Sequence, residues 1–263
     1  MKLLLRLLTL AAALVLLSRI AVTWLDDVNL ALESGSTYRD IIQFYTGAKL
    51  VALGQADRLY DLDTQRLVQK RLAPGQYFYE VWNIGRWELD LLPFVSPPFV
   101  ALALAPLAGL SLPMFYVLSG VANLFLLAVL LISLQRAVSG WAESWRLALC
   151  ILTLMWLPAT MVLLQGQVSL LLAVSLALGY LALRRDKGVL AGILLGALWV
   201  KPQYALLVLP SLLLWQRWRA AGSFAGATVA LLVVSWATVG AGGLVAYVEL
   251  LSRLEAMGPS YGV

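Results

Sequence analysis

A chain of 263 residues that is 62% hydrophobic and 13% charged is not an ordinary soluble domain, which carries about 25% charged residues. Its net charge of +5 is sorted along the chain: residues 26–90 hold ten of the fourteen acidic and seven of the nineteen basic residues and sum to −3, while the remainder sums to +8. The basic residues outside that stretch sit in short loops between apolar runs, so they read as topology markers and not as a nucleic-acid surface.

The predicted elements follow in chain order. Residues 3–24 form a first span. No small-residue cleavage site precedes Trp24, and apolar character continues past Arg19, so the span is expected to remain uncleaved. A large polar loop covers 25–92. Within it, Ile41, Phe44, Tyr45, Ala48 and Val51 recur at spacings of three and four, which predicts an amphipathic helix over 38–53 that ends at Gly54. A second short helix is expected over 62–72, opened by Asp61 or Asp63 as its cap. Tyr77, Phe78, Tyr79, Trp82 and Trp87 put the next stretch at headgroup depth. Further apolar segments fall at 94–110, 113–134, 146–164, 168–183, 188–200, 204–215 and 224–239. Runs of about 18–20 apolar residues suit helices crossing roughly 30 Å of hydrocarbon, and they lack the alternation of a barrel. The expected fold class is therefore all-α: a single polytopic transmembrane helical domain over 1–263.

The separators orient it. Arg184-Arg185-Asp186-Lys187 and Gln216-Arg217-Trp218-Arg219 are cytoplasmic by the positive-inside rule, and Arg136 and Arg146 agree. Lys2 and Arg6 put the N-terminus inside and the polar loop outside. Parity then closes only if 94–110, which contains Pro97, Pro98 and Pro106, is a re-entrant or broken helix. In that topology the polar loop, Gln165-Gly166-Gln167 and Lys201-Pro202-Gln203 meet at one membrane face, a pattern expected of a site. Trp141, Trp145, Trp156, Trp199, Trp215 and Trp218 fall near span ends and read as interfacial anchors.

The absence of histidine and the single cysteine remove the commonest general base, the commonest metal ligand and any intramolecular disulfide. Cys150 reads as a packing residue. Asp40 stands at the start of the amphipathic helix. A carboxylate there can accept a proton from a hydroxyl, or serve as a solvated helix-start residue favoured by the dipole. Lys201, at the end of an apolar segment, either snorkels to the interface or supplies point charge to a phosphate. Gln165-Gly166-Gln167 can hydrogen-bond a polar ligand or form a tight turn. Arg39, Lys49 and Arg58 are further candidate phosphate partners. Asp57, Asp61 and Asp63 lack metal-loop spacing and read as caps and surface charges. No phosphate-binding loop, dinucleotide fingerprint or nucleophile elbow is visible.

Several motifs resemble the glycosyltransferase 87 family. They are Asp40 with Phe44-Tyr45, Ala48 and Gly54, then Leu59-Tyr60-Asp61; Phe94-Val95-Ser96-Pro97-Pro98-Phe99 followed by Ala105-Pro106-Leu107; Leu164-Gln165-Gly166-Gln167; and Ala191-Gly192 through Gly196 to Lys201-Pro202-Gln203, with Arg217-Trp218-Arg219 after it. The resemblance covers roughly 38–247. It implies a GT-C-like fold and a multi-pass enzyme of the inner (plasma) membrane with an extracytoplasmic active site. It implies transfer of a hexose, often mannose, from a polyprenyl-phosphate donor to a lipid or glycan acceptor. It also implies Asp40 as catalytic base and Lys201 as a donor-phosphate contact, and further spans beyond the length of this chain. Gln165, Gln167, Gln203, Tyr45, Arg39 and Arg58 complete the expected substrate-binding set. Membrane lipid is the expected surrounding partner; no cofactor, metal or nucleic acid is expected. A transporter or lipid flippase is the alternative reading, since broken helices are common in such folds, although no inverted repeat is visible. A non-catalytic membrane assembly factor is the third.

Overall fold

The computed structural model describes residues 40–72, 91–155, 162 and 165–256, with isolated positions between 11 and 26. Every element among these residues is helical: α1 Ile41–Ala52, α2 Leu62–Leu72, α3 Pro98–Leu104, α4 Leu112–Ala137, α5 Glu143–Met155, α6 Ser169–Arg184, α7 Gly188–Gly196, α8 Pro202–Leu214 and α9 Trp218–Ala256. The isolated positions within the expected first span are helical too. The aromatic stretch at 77–87 lies outside the described residues, as does most of the end of the 146–164 segment.

Among the described residues, α4 and α9 are long and apolar enough to cross a membrane. Only 28% and 17% of their most apolar stretches are buried, so most of that apolar surface faces outward, unlike the core helix of a soluble protein. The other apolar helices, α6 and α8 among them, are 10–17 residues long, about the length the sequence suggested. The 94–110 segment is a broken helix: α3 passes into a 3-10 turn at Ala105–Leu107, and about ten residues rise roughly 15 Å, half a hydrocarbon core. The 188–200 segment is likewise α7 followed by a 3-10 turn, Ala197–Val200. The last segment is longer than 224–239. Gly240, at φ 70° and ψ −179°, is non-helical and kinks α9 into two helical stretches, the second running to Ala256; glycine adopts that angle without a Cβ penalty.

The chain divides into two compact units. The second comprises Ala31–Phe115 and Thr228–Val263. Its centre is α1, and here the amphipathic reading is corrected. Ile41, Phe44, Tyr45 and Ala48 are buried as expected, but Ile42, Thr46, Gly47 and Leu50 on the other sides are buried as well. α1 packs against α2, α3 and the Ala105–Leu107 turn, which cover the face that the sequence pattern left open. Gly47 admits Phe94, from the segment before α3: a Cβ there would lie 2.8 Å from the Phe94 ring.

The first unit comprises Met1–Leu30 and Tyr116–Ala227. α6 and α7 form a hairpin, with Ser175 Oγ donating to the Leu194 carbonyl and Leu195 lying against Gly179. One face of α7 is glycine at every fourth position, and it receives α9 at every fourth position in the same order. A Cβ on Gly188 would lie 3.0 Å from Arg219 Cβ, and one on Gly196 would lie 2.9 Å from Ala227 Cβ. A Cβ on Gly192 would fall inside the contact distance of Ser223 Oγ and the Ala220 carbonyl, and 2.6 Å from Phe224 N. α7 and α9 thus run parallel in backbone contact, the small-residue packing used where no hydrophobic drive separates helix from lipid. Elsewhere in the unit, Leu127, Leu130, Leu154, Val162, Leu170 and Val174 form an apolar cluster, and Arg146 Nε donates to Gln135 across α4 and α5.

Because the atoms facing Gly192 include backbone, they cannot rotate away. Gly192→Val is expected to destabilise the first unit by about 1–3 kcal/mol, read as a lower thermal midpoint in detergent. Gly222→Val, where an added Cβ meets nothing within 4 Å, serves as the control and is expected to shift it far less.

Candidate functional site

In the second unit the candidate residue is Asp40, at the N-cap of α1. It is partly buried. Its carbonyl accepts from Gln43 N at 3.3 Å, but its carboxylate makes no capping hydrogen bond. Capping α1 is therefore not what this side chain does.

What fixes α1, and so Asp40, is a set of amides on α2. Asp61 opens that helix as anticipated, accepting from Asp63 N at 3.1 Å and from Thr64 Oγ1 at 2.7 Å. One turn on, Gln65 and Gln69 are both fully buried. Gln65 donates to the Leu59 carbonyl at 2.7 Å and accepts from Phe94 N at 2.7 Å. Gln69 donates to the Leu92 carbonyl at 2.7 Å and accepts from Leu92 N at 3.0 Å. These side chains take the place of a strand partner for the 91–94 backbone and set Phe94 over Gly47. Phe94 also packs edge-on to Phe44 at 6.4 Å and stacks on Tyr60 at 6.1 Å. The Tyr60 hydroxyl donates to the Ser96 carbonyl at 2.8 Å. Burial, and secondarily the neighbouring Tyr247, pushes the Tyr60 phenol far above its ordinary value, so it stays a neutral donor.

In the first unit, three of the sequence candidates come together. Lys201 has extended backbone before Pro202, which occupies the first turn of α8. Its Nζ donates to Ser169 Oγ at 3.1 Å. Ser169 Oγ donates to Gln167 Oε1 at 3.3 Å, and Gln167 Nε2 donates to Gln165 Oε1 at 2.9 Å. Gly166, at φ 68°, makes the turn that lets the two glutamines meet. Buried Asn123, on α4, donates to the Gln167 carbonyl at 3.1 Å and anchors the turn. Lys201 is thus held in a polar chain, its ammonium donating to the Ser169 hydroxyl, which in turn donates to the Gln167 amide oxygen.

The remaining candidates fall elsewhere. Gln203 is exposed in the first turn of α8, and Arg58 is exposed in the Ala56–Arg58 turn. Tyr45 is 2% exposed; its hydroxyl donates to the Leu110 carbonyl, its ring meets Phe115 at 5.1 Å and Lys49 Nζ sits 5.5 Å above it, all of which is packing. Arg39 lies outside the described residues. Sequence reasoning missed Ser169 and Asn123. An asparagine within an apolar run was the available signal for the second; Ser169 carried none beyond its place after Gln167.

The model of glycosyltransferase family 87 matches residues 94–262, well over half of the chain. The match takes in Asn123, Gln165, Gln167, Ser169 and Lys201; Asp40, Tyr45 and Arg58 precede it. No curated protein and no solved structure matches the chain.

Replacing Gln65 tests the support of α1. Gln65→Leu strands the Phe94 N–H and the Leu59 carbonyl, each costing about 1–3 kcal/mol when buried without a partner. Faster amide exchange at Phe94 and across α1 is expected, with exchange in α6 and α7 unchanged.

Proposed function

Because the chain belongs to glycosyltransferase family 87, we propose that it transfers a hexose, mannose first among candidates, from a polyprenyl-phosphate donor to a hydroxyl of a lipid or glycan acceptor. In this reading the chain crosses the inner (plasma) membrane several times and works at its extracytoplasmic face. The broken helix α3 is re-entrant and buried against protein, where interrupted backbone is tolerated at membrane depth.

The observation that carries the reading is the Lys201–Ser169–Gln167–Gln165 chain. It lies at the end of the α6–α7 hairpin remote from the basic Arg184–Lys187 turn. The phosphate of a lipid-linked donor dissolved in the bilayer sits at headgroup depth, at such an end. A lysine presented there by a serine supplies positive charge without a metal.

Asp40 takes the proton of the acceptor hydroxyl as its oxygen forms the bond to the anomeric carbon. The bond from that carbon to the phosphate oxygen breaks, and the polyprenyl phosphate leaves with the electron pair. Lys201 stabilises the negative charge that grows on the departing phosphate, and Ser169 and the two glutamines orient the ammonium. Family membership favours this reaction over carriage, because a flippase would move the donor intact.

Each role has its own readout in membranes supplied with labelled polyprenyl-phosphate mannose. Asp40→Asn is expected to lower kcat by about 10²–10⁴ with little change in donor KM. Undiminished turnover would remove Asp40 from the mechanism. Lys201→Gln is expected to lower kcat/KM by about 10²–10³, with Lys201→Arg recovering part of the loss. Intact donor crossing the bilayer without sugar transfer would point to the carrier instead.

A further inference from the structure

The opposite end of the first unit has a feature that sugar transfer leaves unused. The turn between α6 and α7 and the turn between α8 and α9 come together there, with Arg217 3.6 Å from Asp186. Beside them lies a groove of about 410 Å³, with Asp186, Lys187 and Arg219 at its mouth and Val189, Leu190 and Ile193 along its wall.

The charge at the mouth is one-sided. The two turns carry Arg184, Arg185, Lys187, Arg217 and Arg219 against the single carboxylate of Asp186. Arg184 is spent on the Ala137 carbonyl at 2.6 Å, and Asp186 faces Arg217. Among the described residues, neither Lys187 nor Arg219 pairs with a carboxylate. The Gly188 approach to Arg219 Cβ is what brings these two cations to one opening.

The wall has the opposite character. Val189, Leu190 and Ile193 are 56%, 46% and 56% exposed, and they continue directly from the cationic mouth. Trp215 and Trp218 stand exposed beside the same turns, as tryptophans do at headgroup depth. A free phosphate would answer the two cations and leave the aliphatic wall bare. A neutral lipid would cover the wall and leave the cations uncompensated. An amphiphile with an anionic head answers both.

We propose that this groove is a binding site for an anionic phospholipid, with the lipid phosphate between Lys187 and Arg219 and one acyl chain along Val189, Leu190 and Ile193. It is separate from the Lys201 network. Residues Gly188 to Val200 intervene as α7 and its 3-10 turn, a rise of about 20 Å. The lipid bound here is a structural ligand and not the sugar donor.

Native mass spectrometry of the full chain, purified in detergent, tests this. The protein is incubated with phosphatidylglycerol or with phosphatidylcholine of the same acyl chains, with and without excess inorganic phosphate. The native chain is expected to prefer phosphatidylglycerol about 30-fold, the selectivity that two membrane-surface cations give, and to keep it against inorganic phosphate. The double variant Lys187→Gln and Arg219→Gln is expected to lose the preference, and Arg71→Gln, an exposed site on α2, to keep it. Ile193→Gln is expected to release the lipid while both cations remain. Equal retention of the two lipids by the native chain, which needs no variant to fold, would overturn the proposal. So would displacement by inorganic phosphate, which marks a free-anion site, or an undiminished preference in the folded double variant. Because lipid retention is read without any sugar transfer, failure here and failure of the enzymatic reading are distinguishable.

Discussion

The hydrogen bond from Phe94 N to the buried Gln65 amide is the constraint on which the second unit depends. The 91–97 segment is irregular backbone, mostly buried, where each unpartnered peptide group costs as much as a lost hydrogen bond. Two side-chain amides spaced four apart on α2 meet that demand. Once the segment is held, Phe94 occupies the space that Gly47 leaves open, α1 is enclosed on all sides, and the residue before its first turn is fixed in place. Asp40 is therefore positioned from beneath, by packing, and its carboxylate is not consumed in holding its own helix.

The first unit is organised by a different economy. Its helices meet through glycine, at Gly179 and along Gly188, Gly192 and Gly196. This brings backbone against backbone and leaves large aliphatic and aromatic residues such as Phe125, Leu207 and Leu214 facing outward. Helices that pack this way keep their polar groups at their ends. One end gathers hydroxyl, amides and a single ammonium in a connected chain; the other gathers guanidinium and ammonium groups in two turns. α7 and its 3-10 turn join the two ends, with Lys187 before the first turn and Lys201 after the last.

Much of this was written in the sequence, and the reasons for what was not are physical. The 62–72 helix was legible to its boundaries because Asp61 caps it through local hydrogen bonds. The convergence of Gln165, Gln167 and Lys201 was legible because polar residues between apolar runs have few places to go. Gln65 and Gln69 were not legible as core residues: beside Arg66, Lys70 and Arg71 they look like part of a solvated helix, and only their partners at 59 and 92–94 reveal otherwise. The pattern in α1 identified one apolar face correctly, but periodicity cannot report that a second face is covered by a segment more than forty residues away. Likewise Ala191-Gly192 through Gly196 stood in the sequence only as part of a family-like motif, while the packing role of its glycines depends on α9. The 94–110 segment was legible as a broken helix because Pro97, Pro98 and Pro106 interrupt it, whereas the 3-10 turn that follows α7 leaves no mark in hydropathy.

The central claim is that the Lys201–Ser169 network receives the phosphate of a lipid-linked sugar. Photo-crosslinking with a polyprenyl-phosphate hexose bearing a reactive group next to its phosphate tests this most directly, with peptide mapping of the adducts and excess unlabelled donor as competitor. The account predicts competed labelling of peptides containing Ser169 or Lys201. Competed labelling confined to other segments, such as α2 or the Lys187–Arg219 groove, would contradict it.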